Sequence, residues 1–291
     1  MGRIITTGTF DGLHLGHMEL LEQMKGFGSR HGLAPMVVTF DRHPLTEIAP
    51  QRVPGLLLLP SVRNRKLRAA GVEVVEIPFD AAMRGVSAGE WMALLRRDYD
   101  AEALMLGYDN TFGSDGAAMN VADYRRLGAS HGLEILTAPV VPGVSSSAIR
   151  KAIAEGRIGD ADGMLGYEWE IPGRVVHGRG MGRNLGFPTA NIATDPRLQL
   201  PANGVYASTV TLDDGSSFRA VTNVGRRPTF GENGPVSIET HLLGFNGDIY
   251  GRRLSLRPLA FLRGEQRFDS PDSLKKQIAA DVEETLSLKN T

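Results

Sequence analysis

Residues Arg3–His17 read RIITTGTFDGLHLGH: an apolar run ends among glycines and meets two histidines three residues apart. RIITTG has the composition of a buried strand. MELLEQMKGFGSRHG, which follows from Met18, carries apolar residues at helical spacing and stops in glycines. The stretch therefore reads as a strand, a tight turn and the entrance of a helix. Such a turn presents unpaired backbone N–H groups, which together with the helix dipole attract phosphate. Gly8, Gly12 and Gly16 let the backbone come close to a ligand, and His14 and His17 can face one side of the helix start and donate to phosphate oxygens. Two other readings compete. A zinc site would need a further ligand, and none stands at a helical spacing. A helix cap would leave the second histidine on the surface. The meeting of glycines, Phe10, Asp11 and both histidines at one turn favours phosphate.

Outward from this stretch the same alternation continues. APMVVTFD, VEVVEIPF, AEALMLGYD and LEILTAP read as strands, separated by the helical patterns VRNRKLRAAG, SAGEWMALLRRDY and VADYRRLGASHG. This predicts a Rossmann-like parallel sheet covered on both faces, with ligands held beyond the carboxyl ends of the strands. FDRHP and GYDNTFG each follow a strand directly, as GTFDG does. After the helix SSSAIRKAIAEG and the glycine-dotted RIGDADGMLGY, the texture changes to short β-rich runs: GRVVHG, GVYASTVTLDDGSSFRAVTNVG, VSIETHLLGF and RRLSLRPLAFLRG. These predict a small antiparallel barrel, with TLDDGSSF as a hairpin turn. A last helix begins at Ser270 and Pro271, with Leu274, Ile278 and Val282 every four residues, and is expected on the barrel. The expected domains are 1–160 and 161–291.

At 291 residues the chain is long enough for two cores. Apolar residues make up 42% and charged residues 22%, a globular composition, and a net charge of −1 offers no attraction to nucleic acid or an acidic membrane. Small-molecule partners are expected, and nothing specifies an oligomeric state. There is no cysteine, so disulfides, thiolate metal sites and thiol nucleophiles are excluded together. No stretch approaches the roughly 20 apolar residues of a membrane span, and the N-terminus lacks a secretion signal, so a cytoplasmic location is expected. Met1, Gly2 and Thr6 fit the loose myristoylation pattern, but Ile4 and Ile5 are needed in the strand.

In the second half, GRGMGRNLG is not a dinucleotide fingerprint, because it runs into FPTAN rather than a helix. It reads as a basic flap, with Arg179 and Arg183 as its charges. Thr189 and Asn191 are two apart, so in an extended segment they point the same way and can offer oxygens to a hard cation. VSIETHLLGF places Val236, Ile238, Thr240 and Leu242 on one face and Glu239 and His241 on the other.

The H-x-G-H core of GTFDGLHLGH resembles the nucleotidyltransferase signature. FDRHP, GYDNTFG and VSSSAIRKAI follow in the order seen in the adenylyltransferase half of bacterial bifunctional flavin enzymes. GRGMGRNLGFPTANI, NVGRRPTFG and IETHLLGFNGDIYG resemble the riboflavin kinase domain of the same enzymes. The resemblance spans nearly the whole chain. It implies an α/β nucleotidyltransferase domain followed by a small antiparallel β-barrel riboflavin kinase domain with a C-terminal helix. It further implies riboflavin, FMN and ATP as substrates, Mg²⁺ as the cation, and conversion of riboflavin to FMN and then FAD.

The resemblance also implies roles. His14 and His17 would meet the ATP phosphates, with Gly8, Phe10 and Gly16 closing on the nucleotide and Ser146 and Arg150 on the triphosphate. Asp41, Arg42 and His43 would meet the flavin phosphate. GYDNTFG would border adenine and flavin, although Asn110 stands where the family usually has an aromatic residue. In the kinase half, Gly182 and Arg183 would cover phosphates, Asn223 would bind flavin, Thr189 and Asn191 would hold Mg²⁺, and Glu239 would take the proton from the riboflavin 5′-hydroxyl. Gly244 replaces a frequent aspartate. Two other functions compete: a nucleotidyltransferase for a different phosphorylated metabolite, and a flavin- or nucleotide-binding regulator without turnover.

Overall fold

Ile4 and Ile5 are both fully buried, yet in different cores. Successive residues of a strand point to opposite faces of its sheet, so β1 (Arg3–Thr7) must be covered on both sides. On one face Ile4 and Val37 pack with Leu21, Met24 and Leu67. On the other, Ile5, Met36 and Val38 pack with Trp91, Met92, Leu95 and Tyr124. The computed structural model describes residues 1–108, 111–178, 182, 185–226 and 236–288. They form two compact units, Met1–Ser146 and Ser147–Thr291.

In the first unit β1 is joined by β2 (Ala34–Phe40), β3 (Glu73–Ile77), β4 (Ala101–Leu106) and β5 (Glu134–Thr137) in a parallel sheet of order β3-β2-β1-β4-β5. The strand order reverses between β1 and β4, and an open α/β sheet binds ligands beyond the strand ends at such a point. Helices α1 (Leu15–His31) and α3 (Pro60–Ala69) cover one face, α5 (Ala88–Tyr99) and α6 (Val121–Ser130) the other. Two short helices, α2 (Leu45–Ile48) and α4 (Ala81–Gly85), lie in the loops after β2 and β3.

The second unit begins with α7 (Ser146–Ala154), whose first residue closes the first unit, and α8 (Ile158–Leu165). Its strands β6 (Ile171–Val176), β7 (Ala190–Thr194), β8 (Gly204–Leu212), β9 (Ser217–Arg226), β10 (Val236–Leu242) and β11 (Arg253–Arg263) close an antiparallel barrel in the order β10-β7-β6-β11-β8-β9. The expected hairpin turn joins β8 to β9: Gly215 has φ +84°, and the Asp214 carboxylate accepts from Ser216 N–H at 2.9 Å. A glycine tolerates that φ without strain.

Besides α2 and α4, two elements of the second unit exceed the sequence expectation. RIGDADGMLGY contains α8, whose Ile158, Ala161 and Leu165 are buried despite its glycines. ANIAT forms β7, paired on both edges. The C-terminal helix α9 (Pro271–Ser287) is capped by Ser270, whose hydroxyl accepts from Ser273 N–H, and it packs on β8 and β9 as expected. Its face is centred differently. Leu274, Ile278 and Val282 are half-buried, while Asp281 and Thr285 are fully buried. Arg263 on β11 explains this by holding the Asp281 carboxylate through Nε at 2.9 Å and Nη2 at 2.8 Å.

Candidate active sites

The turn after β1 is held in a backbone shape that side chains rarely adopt: Phe10 has φ +48°, Gly12 +83° and Leu13 +39°. Phe10 and Leu13 are nonetheless buried, and their neighbours supply the restraint. The buried Asp11 carboxylate accepts from Leu57 N–H at 3.0 Å and from Leu58 N–H at 3.1 Å, and the Asp11 carbonyl accepts from the Ser146 hydroxyl at 2.8 Å. His14 caps α1, with its Nδ1 accepting from His17 N–H at 3.3 Å. The His14 and His17 rings stack with centroids 3.7 Å apart, and His17 also leans on Phe10. The capping reading is thus correct for His14, but His17 is a packed ring rather than a surface one. Gly16 sits tightly here, since a Cβ on it would come 3.3 Å from the His14 ring.

Burial, and then the neighbouring His14, push the His17 imidazole well below its ordinary pKa of 6.5. It is therefore neutral at pH 7. Its Nδ1 is buried without a hydrogen-bond partner among the described residues. A polar atom in that state is costly unless something satisfies it. Among the described residues no three or more His, Cys, Asp or Glu side chains gather as a metal site.

Beyond the carboxyl ends of β1, β2 and β4 lies a cavity of about 700 Å³, walled by Phe40, Phe79, Trp91 and Phe112. Gly8 and His43 of the expected residues line it. Asp41 and Arg42 pair with each other at 3.0 Å, and Asp41 also accepts from Phe79 N–H at 3.0 Å. Burial raises the Asp41 carboxyl, but the Arg42 and Phe79 hydrogen bonds outweigh it and hold the group below the usual range. Asp41 thus fastens the turn after β2 to the end of β3. Arg150 is half-buried on α7, in the second unit. Asn110 lies outside the described residues.

The sequence reading missed two supports of this cavity. Tyr124 on α6 clasps the loop after β4: its hydroxyl accepts from Phe112 N–H at 2.9 Å and donates to the Phe112 carbonyl at 2.8 Å. Arg63 on α3 is buried beneath the turn. The one local signal for Arg63 is its spacing of four from the buried Leu67, which puts both on the inward face of the helix.

In the barrel, β7, β10 and β9 are adjacent, and their register aligns three expected residues. Asn191 lies opposite Glu239, which in turn lies opposite Asn223. Directly opposed residues share a face with Cβ atoms about 4.5–5.5 Å apart. Ile238, Thr240 and Leu242 are buried in the barrel interior while Glu239 and His241 are half-exposed, so the row lies on the outer face. His241 Nδ1 lies 2.8 Å from the Pro188 carbonyl, which fastens β10 to the segment entering β7.

The oxygen donors near Mg²⁺'s expected place are closely framed by glycine backbone. A Cβ on Gly178 would come 2.0 Å from Asn191 Nδ2 and 2.8 Å from its Oδ1, and one on Gly182 3.2 Å from Thr189 Oγ1 and 2.4 Å from the Phe187 carbonyl. Asn191 is buried. A neutral amide oxygen and a hydroxyl beside a carboxylate suit a hard cation that keeps waters and phosphate ligands. Thr189 also lines a cavity of about 390 Å³ with Pro188, Phe245, Asp248 and Tyr250. The Gly182 carbonyl accepts from the Leu185 and Phe187 N–H groups. Arg183 lies outside the described residues. Gly244 has φ +71°, which gives the departure from aspartate a backbone reason.

Family models match both halves: FAD synthetase over residues 1–150 and riboflavin kinase over 165–289. A bifunctional riboflavin kinase/FMN adenylyltransferase of Pseudomonas fluorescens is 36% identical, covering 97% of this chain and 91% of its own. The chain belongs to the bifunctional riboflavin kinase/FMN adenylyltransferase family. Members from Escherichia coli K12 and Bacillus subtilis are 35% and 30% identical, over 96% and 97% of this chain and 90% and 91% of their own. A crystal structure described as a macrolide-efflux protein from Streptococcus pneumoniae superimposes with TM-score 0.88 at 32% identity, covering 99% of this chain and 95% of that one. Its description stays with that protein. No helix among the described residues of this family member is long and apolar enough to cross a membrane.

Proposed function

We propose that the two activities of the family divide along the chain, adenylyl transfer in residues 1–160 and riboflavin phosphorylation in 161–291. The chain is a bifunctional transferase that makes FMN from riboflavin and FAD from FMN, with ATP as co-substrate in both steps. The observation that carries the residue assignment is the single row of Asn191, Glu239 and Asn223 on the outer barrel face.

In the kinase step, Glu239 takes the proton of the riboflavin 5′-hydroxyl, the oxygen attacks the γ-phosphorus of ATP, and ADP leaves. Asn223 orients the flavin from the next strand. Thr189 and Asn191 hold Mg²⁺, which when bound offsets phosphate charge. Gly182 and Arg183 cover the phosphates, and the cavity beside Thr189 takes part of the nucleotide.

In the adenylyl step, an FMN phosphate oxygen attacks the α-phosphorus of ATP and pyrophosphate leaves. The nucleophile is already anionic, so no base is required. Gly8, Phe10 and Gly16 shape the backbone toward the nucleotide, while His14, His17, Ser146 and Arg150 meet its phosphates. Neutral His17 acts as an N–H donor, and its unpartnered ring nitrogen supports a ligand at this place. Asp41, Arg42, His43 and Asn110 border the flavin, for which the aromatic walls of the larger cavity are suited. Mg²⁺ accompanies ATP here as well. A cytoplasmic location is consistent with an ATP-dependent enzyme without cysteine.

Incubation with riboflavin, ATP and Mg²⁺, followed by separation of flavins, tests this reading. FMN appears first and FAD later. Binding of flavin without either product would establish the regulator instead, and FMN formation without FAD would point to another acceptor for the adenylyl group.

A further inference from the structure

Arg63 spreads its guanidinium beneath the first site. Nη1 donates to the Thr9 carbonyl at 3.1 Å, and Nη2 to the Phe40 carbonyl at 3.0 Å and to Glu76 Oε2 at 2.8 Å. Nε donates to Asn64 Oδ1 at 3.0 Å, and Asn64 Nδ2 closes the network by donating to the same Glu76 oxygen at 2.6 Å. Thr9 belongs to the turn that leads to His14 and His17, and Phe40 ends β2 just before Asp41 and His43. Both line the larger cavity. One rigid planar fork therefore joins the loops on two sides of the space where two substrates must meet.

The turn gives a second reason to assign Arg63 a role. Phe10, at φ +48°, sits between the Thr9 carbonyl held by Arg63 and the Asp11 carboxylate held by Leu57 and Leu58. Backbone strain of that kind persists only where surrounding contacts over-determine it. A lysine can supply the charge of Arg63, but its single nitrogen cannot hold two carbonyls and a carboxylate in one plane.

We infer that Arg63 is a positioning residue for adenylyl transfer, setting the distance between the nucleotide turn after β1 and the flavin loop after β2. The inference rests on the assignment of adenylyl transfer to the first domain. In-line attack requires reacting atoms about 3–3.5 Å apart, and a misplacement of about 1 Å can cost about 100-fold. Arg63 acts through the loops and touches neither substrate.

The test compares Arg63→Lys, Arg63→Ala, Glu76→Gln and His17→Ala in the full chain. Initial rates are measured over ATP and FMN, with riboflavin phosphorylation as the internal control and urea unfolding as the check on folding. Arg63→Lys is expected to lower kcat for adenylylation about 10- to 100-fold, with the kinase step within about twofold of wild type. Added guanidinium ion should restore part of kcat in Arg63→Ala and none in His17→Ala. Glu76→Gln, which keeps an acceptor for Nη2, should show a smaller loss confined to adenylylation.

Unchanged adenylylation in Arg63→Lys overturns the inference. So does a parallel fall of both activities with a lowered unfolding midpoint and no guanidinium rescue. Should the Arg63 variants fail to fold, Glu76→Gln decides, and an unaltered adenylylation rate there overturns it. If His17→Ala also forms FAD normally, the site assignment itself is wrong; if His17→Ala is impaired and Arg63→Lys is not, only the role of Arg63 falls.

Discussion

Glu239 and Asn191 face each other directly across β10 and β7, on the outer side of the barrel. The carboxylate assigned as base and the amide assigned to the cation are thus brought side by side from positions 48 residues apart in the chain. Glu239→Gln keeps size and polarity but cannot accept a proton. Riboflavin phosphorylation should fall by about 10² to 10⁴, or about 3 to 5 kcal/mol of barrier, while FAD formation from supplied FMN stays near wild type. Separate assays of the two steps check this. Normal phosphorylation in the variant would remove Glu239 from the mechanism.

Chelation of divalent cations should stop both conversions, because each moves a group from a triphosphate whose charge must be offset. Asn191→Ala should weaken the kinase step alone. The informative measurement is the Mg²⁺ dependence of each activity. An unchanged requirement in the variant would show that Asn191 does not hold the ion.

His17→Ala removes a packed donor at the nucleotide turn, and FAD formation should slow by about 10² to 10³ while FMN accumulates from riboflavin. A pH effect accompanies it. The folded pKa of His17 lies below its ordinary 6.5 because burial and His14 disfavour the charged ring. The unfolded chain therefore binds this proton first as pH falls. The contribution of neutral His17 to stability is complete above about pH 6.5 and is lost below it, toward the folded pKa. Urea midpoints at pH 7.5 and 5.5 should differ more for wild type than for His17→Gln. Equal differences would show that the ring is not desolvated.

Tyr124→Phe deletes a hydroxyl that both accepts from and donates to the backbone of Phe112. Since Phe112 lines the larger cavity, KM for FMN should rise in the adenylyl step, with riboflavin phosphorylation untouched. An unaltered KM would mean that the loop holds its position without the clasp.

Asp281→Ala leaves the Arg263 guanidinium without its two-pronged acceptor in a nearly closed interface. Breaking one side of a buried pair costs about 3–5 kcal/mol. A urea titration should show a loss of that order and a parallel decline of riboflavin kinase activity. A loss below about 1 kcal/mol would indicate that α9 is held by its half-buried apolar residues instead.

The sequence by itself determined the βα alternation, the turn after Ile5 and the barrel strands other than β7, because each is written in short-range patterns: period two, helical period, glycine after a strand. It also singled out His14, His17, Thr189, Asn191 and Glu239 as candidates, since short motifs bring such residue types together along the chain. The role of Arg63 was not legible there, because Arg63, Arg65, Lys66 and Arg68 look alike until folding places Thr9, Phe40 and Glu76 around one of them. The fully buried centre of α9 was hidden for the same reason: Asp281 reads as a solvated charge, and only Arg263, arriving from a barrel strand, makes its burial affordable. Hydrogen-bond partners that are distant in sequence leave no periodic trace. The tertiary structure alone decided that Asn191, Glu239 and Asn223 form one row, because strand register is set by how the barrel closes.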